Sequence, residues 1–156
     1  MRSFLIIAIW CALSIVNAGC DFRPDNQFIV VSGPVHIAAN ATVVIKSPEL
    51  IKSEYSVNDI CLQPSAANRF PDKKNQEFGA LSKDGKVFVP HVSLLDSKGV
   101  ADVLKPGALQ GASQFCFTPT WRQWNQETPH GPYTSVVIAS PSDLQLDQVT
   151  WFSGDK

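Results

Sequence analysis

The feature that most limits how this chain can fold is the spacing of its turn formers. Eleven prolines and nine glycines are spread along 156 residues instead of clustered. Between them lie short apolar stretches rich in β-branched side chains, the signature of strands more than of helices. Phe28 to Ser32 (FIVVS) is one such stretch. Val35 to Lys46 (VHIAANATVVIK) alternates in parts and fits a strand or a bent hairpin arm. Tyr55 to Gln63 (YSVNDICLQ) also alternates, with its inward face left open by the pattern. Lys86 to Asp96 (KVFVPHVSLLD) is apolar but carries Pro90, which lacks the N–H a ladder needs and so marks an edge, a bulge or a break.

The second half is more regular. Asp84-Gly85 and Ser97-Lys98-Gly99 are turn signals on either side of that apolar stretch. Val100 to Lys105 alternates weakly and is expected to end at Pro106-Gly107. Gln114 to Thr118 puts Phe115 and Phe117 on one face and Cys116 on the other. Thr134 to Ser140 follows, and Leu144 to Phe152 closes the domain, with a one-residue slip near Gln148 that lets Val149 and Trp151 resume the apolar face of Leu144 and Leu146. The pattern predicts an all-β fold, a single antiparallel β-sandwich of about eight short strands. Ser47 to Ser53 and Ser65 to Phe70 are the two competing helical candidates.

The first twenty residues set the compartment. Arg2 supplies a positive start, Phe4 to Val16 form an uncharged apolar run, and Ala18 and Gly19 are small residues leading to Cys20. The run is too short to span a bilayer comfortably and reads as a cleaved export signal. Val16-Asn17-Ala18 fits an ordinary signal peptidase, which would release a soluble chain starting at Gly19. Ala18-Gly19-Cys20 resembles the lipobox of bacterial lipoproteins, with Asn17 where that family usually carries an aliphatic residue. The resemblance implies a diacylglyceryl group on Cys20, the mature N-terminus, and Asp21 after it implies retention at the inner membrane. On that reading residues 1–19 are the signal peptide, 20–27 a flexible tether and 28–156 the β-sandwich domain.

Cysteine parity bears on the same choice. Cys11 falls in the leader, so a soluble product would carry Cys20, Cys61 and Cys116, an odd number in an oxidising compartment. With Cys20 acylated, Cys61 and Cys116 can pair and nothing is left over. The bridge would pin an early strand to a late one. Its spacing resembles the immunoglobulin disulfide, but no Trp follows Cys61 where that fold buries one, so the expectation is a sandwich with a clip.

Little in the sequence points to catalysis. There is no HExxH, HxH or cysteine pair at metal spacing, and no GxSxG, P-loop or dinucleotide glycine run, so the chain is read as a non-enzyme with no cofactor and no metal. His36 and His91 sit in strand-like segments and are expected to be structural. With 13 basic and 14 acidic side chains, nothing favours nucleic acid. Asn40-Ala41-Thr42 matches a glycosylation sequon, which matters only in a eukaryote. Gln63 to Phe78, with Asp72-Lys73-Lys74, is expected to be a solvated excursion.

Thr118 to Tyr133 (TPTWRQWNQETPHGPY) is the candidate working surface. It concentrates Trp121, Arg122, Trp124, His130 and Tyr133, residue types that dominate binding hot spots, in a segment free of periodicity. The competing reading is a plug whose tryptophans fold over an open end of the sandwich. The leading expectation is a membrane-anchored lipoprotein on the periplasmic side that binds a protein partner. The signal, the Cys61-Leu62 and Cys116-Phe117 strand pair and the late strand with Trp151 are somewhat similar to small periplasmic lipoproteins proposed as immunity partners of secreted antibacterial toxins, which implies toxin neutralisation. The alternatives are a carbohydrate-binding module stacking sugars on Trp121 or Trp124, and a soluble secreted eukaryotic protein or effector.

Overall fold

The computed structural model describes residues 27–51, 57–71, 74, 76–110, 114–119 and 132–154. Within them the chain is antiparallel β-structure. Its strands are β1 (Gln27–Ser32), β2 (Val35–Ile37), β3 (Ala41–Ile51), β4 (Val57–Pro64), β5 (Ala80–Leu81), β6 (Val87–Phe88), β7 (His91–Asp96), β8 (Ala101–Gln110), β9 (Gln114–Pro119), β10 (Tyr133–Ser140) and β11 (Leu144–Gly154). Eight strands form one hydrogen-bonded path in the order β1-β11-β4-β9-β8-β7-β10-β3, β2 adds to β11, and β5-β6 is a separate hairpin.

The path makes two sheets because β8 serves both. Ala101 to Val103 pair with β7, and Leu104 to Gln110 pair with β9. The handover is marked by Pro106 and by a register shift between Pro106 and Leu109. Gly107 permits that bulge: a Cβ there would lie 2.5 Å from Thr118 Oγ1 and 2.9 Å from the Cys116 carbonyl oxygen. No side chain fits such an approach, so the position needs glycine. On the opposite side of the molecule β1 and β3, the ends of the path, also approach each other.

One core lies between the sheets. Ile60, Leu62, Phe115, Phe117, Val149 and Trp151 face it from the first sheet, and Val92, Leu94, Val136 and Ile138 face it from the second. Phe115, Phe117 and Phe78 meet edge to face, with ring centroids 5.4 to 5.8 Å apart. That is the arrangement aromatic quadrupoles favour.

Cys61 and Cys116 form a disulfide with a Cα–Cα separation of 4.0 Å. They are direct partners in the β4–β9 ladder, flanked by the pairs Ile60–Phe117 and Leu62–Phe115. The bridge therefore joins neighbouring strands of one sheet, on the side away from the core. Both cysteines are only 1% exposed, so the centre of this sheet is covered on its two faces.

Several expectations are corrected. The described part of the Ser47–Ser53 helical candidate is strand, the end of β3. Ser65 to Phe70 is not helical: turns run through 66–68. The strand begun at Val100 does not stop at Pro106-Gly107, because β8 exchanges β7 for β9 there and continues to Gln110. Pro90 does interrupt its apolar stretch, between β6 and β7. The slip foreseen near Gln148 is present as a register shift between Leu146 and Gln148 against β4.

The loop closed by the bridge has a sequence separation of 55 residues, for which the chain-entropy model gives about 4 kcal/mol. Replacing both cysteines by alanine is expected to lower unfolding free energy in urea by roughly 2 to 4 kcal/mol. A loss within experimental error would show that the ladder holds its register without the bridge.

Candidate functional site

The densest polar arrangement is built where the β10–β11 turn meets the segment after β4. Asn68, 4% exposed, is its centre. Its Nδ2 donates to the carbonyl oxygens of Leu81 (2.7 Å) and Asp143 (2.9 Å), and its Oδ1 accepts from the Gln145 N–H (2.8 Å). Its backbone N–H donates to the Ser65 carbonyl, and its own carbonyl accepts from the Leu81 N–H. One amide side chain thus ties the turn after β4, strand β5 and the start of β11 together. The described part of the segment from Gln63 to Phe78 is consequently not solvated throughout: Asn68 clamps one part and Phe78 packs on the core, while Lys74 is exposed and Asp72 and Lys73 lie outside the described residues.

Charged groups surround this clamp. His36 Nε2 lies 2.9 Å from Asp143 Oδ1, and Lys83 Nζ lies 3.4 Å from Asp143 Oδ2. Arg69 Nη2 donates to the Pro64 carbonyl (3.0 Å) and to Asp147 Oδ2 (3.2 Å). The His36 hydrogen bond first, and the Lys83 hydrogen bond after it, hold the Asp143 carboxyl below its ordinary value, against the raising effect of burial. Ion pairs this open to solvent are screened and stabilise little. Energetically the clamp is Asn68.

The His36–Asp143 pair has the form of a base with its orienting carboxylate. Among the described residues no hydroxyl or thiol is hydrogen-bonded to His36, and no group of three His, Cys, Asp or Glu side chains could hold a metal ion. Both His36 and His91 are exposed; His36 is held at the surface by Asp143, as a histidine satisfied by a structural partner.

Of the residues singled out in sequence, Cys20, Trp121, Arg122, Trp124 and His130 lie outside the described residues. Tyr133 is described and offers no contact surface: it is 1% exposed, inside the core, and its hydroxyl donates to the Asp102 carboxylate. Asn68, Asp143 and the outward valines of the second sheet were not singled out. The valines had a signal in the run Val43-Val44-Ile45, because three successive apolar residues on one strand must send at least one outward. Val44 is 59% exposed and Val103 60%. A single buried asparagine in a polar loop has no comparable signature.

The chain matches no family model, no curated protein and no solved structure.

Removing the Asn68 side chain leaves the Gln145 N–H and two carbonyls without their partner. Asn68→Ala is expected to cost about 2 kcal/mol in chemical denaturation, and a change near zero would mean that water replaces all three bonds. For Asp143 the folded-state value is depressed, so its contribution to stability is present above the unfolded-state value of 3.8 and is lost as pH falls through the lower folded value. Carboxyl-carbon NMR should place its midpoint below 3.8. His36→Ala should move that midpoint upward, and an unchanged midpoint would show that the His36 contact is not formed in solution.

Proposed function

We propose that this chain is an exported lipoprotein, acylated on Cys20 and held on the periplasmic face of a membrane, where its β-domain binds a protein partner without catalysing a reaction. The observation that carries the reading is the buried Cys61–Cys116 bridge. Bridges of this kind persist outside the reducing cytosol, in agreement with a leader that has the form of an export signal. The bridge also accounts for both cysteines beyond the leader and its boundary, leaving Cys20 as the remaining thiol of the mature chain. An acyl group removes that odd thiol and supplies a membrane attachment at once.

The binding role rests on rigidity and exposure together. The bridge and the amide clamp stiffen the first sheet, β8 continues from it into the second, and the second sheet exposes Val44 and Val103, which the core does not use; rigid scaffolds with exposed apolar side chains suit recognition. Neutralisation of a secreted antibacterial toxin is the specific form that the sequence resemblance favours.

Metabolic labelling with an alkyne palmitate analogue tests the tether. Label on the wild-type chain that disappears in Cys20→Ala, with a diacylglyceryl mass on the N-terminal peptide, is the expected result. A mature chain starting at an unmodified Gly19 would overturn it.

A further inference from the structure

The outer side of the second sheet leaves two valines well exposed. Val44 on β3, Val137 on β10, Ser93 on β7 and Val103 on β8 are successive cross-strand partners, so they form one row across four strands. The two ends of the row are the most exposed large apolar side chains in the described chain, at 59% and 60%. Lys46 lies in the row on one side and His91 in the row on the other, and Lys105 follows Val103 two residues along β8. All three are exposed.

Two of the described carboxylates on these strands are turned away from this face. Asp96 is buried, its Oδ1 accepting the backbone N–H groups of Lys98 and Val100 in the turn after β7. Asp102 receives the Tyr133 hydroxyl on the core side. Glu49 lies past the register shift that separates Lys46 from Ile51 on β3. Among the described residues the face is thus a mostly apolar row with Lys46 beside one end and Lys105 beside the other, and no carboxylate stands in the row itself.

The geometry points to this face as the docking surface for the protein partner, and to a partner that presents a flat apolar strip bordered by carboxylates. The inference rests on the protein-binding reading above and gives that reading its surface. A second copy of the chain is a poor occupant, because a symmetric contact through this face would set its cations against each other. A lipid surface is also a poor occupant. Peripheral proteins enter it with protruding aromatic or long aliphatic side chains, whereas this row consists of valines and a serine held flat on a sheet.

The test uses the full chain with Cys20→Ala, which keeps it water-soluble, and two synthetic probes: a valine-rich β-strand peptide flanked by glutamates and its lysine-flanked counterpart. In an amide NMR titration the acidic probe is expected to shift signals of β3, β7, β8 and β10, and the basic probe to leave them in place. Val103→Lys should weaken the acidic probe by about tenfold or more, Lys46→Glu with Lys105→Glu should do the same, and added salt should weaken the wild type. Val87→Lys, on the β5-β6 hairpin, should change nothing. Equal response to both probes, shifts confined to other strands, or no binding overturns the surface. So does a dimer abolished by Val103→Lys, or sedimentation with phosphatidylglycerol vesicles that depends on Val103.

Photo-crosslinking in the exporting cell, with benzoylphenylalanine at positions 44, 103, 121 and 124, separates this failure from failure of the reading beneath it. Protein crosslinks at 121 or 124 without any at 44 or 103 overturn the surface and keep a protein-binding role. Protein crosslinks at none of the four positions overturn both.

Discussion

The structure depends most on the register of β4 against β9, which the bridge between two directly opposed cysteines locks in place. Because side chains alternate across a strand, a slip of one residue would carry Ile60 and Leu62 out of the core and send Cys61 into it. The same register passes outward through the sheet. Trp151 stands beside Ile60 and Val149 beside Leu62 on β11, while Phe117 and Phe115 stand beside them on β9. Two core rows are therefore fixed by one covalent contact placed on the opposite face, where it takes no space from the aromatic cluster.

The rest of the fold can be followed from that sheet. Gly107 lets β8 come close to Cys116 and bulge, and the bulged strand carries the path into the second sheet. At another point Asn68 gathers the segment after β4, the short β5 strand and the start of β11. The second sheet is joined to the first through β8; its inner side completes the core and its outer side carries Val44 and Val103. If the outer side is the docking surface proposed above, its order before binding means that little further freedom is lost when a partner arrives.

Much of the fold was legible because it is written in short-range pattern. Phe115, Cys116 and Phe117 assigned their faces by alternation alone, and the interrupted apolar rhythm of Leu144 to Trp151 marked the bulge before β11 completes its pairing with β4. What was not legible depends on partners distant in sequence. Ser47 to Ile51 looks locally helical, yet β10 recruits it as an irregular strand end in which exposed Pro48 is tolerated. Pro106 reads as a terminator when its own strand is considered, and as a bulge once a second partner strand is available. Tyr133 reads as part of an aromatic binding segment, but the next residues form a strand and draw it inward to Asp102. Asn68 is invisible for the same reason, since a polar residue is worth burying only when the surrounding backbone groups happen to need it.

Native-state hydrogen exchange measures the central dependence directly. With the bridge intact, the slowest amides are expected in β4, β9 and the part of β11 that pairs with β4, and selective reduction of Cys61–Cys116 should speed exchange there before it does so in β3, β7 or β10. If the slowest amides belong to β3 and β10, and reduction leaves the pattern unchanged, the fold is organised from its second sheet and the bridged register is not its foundation.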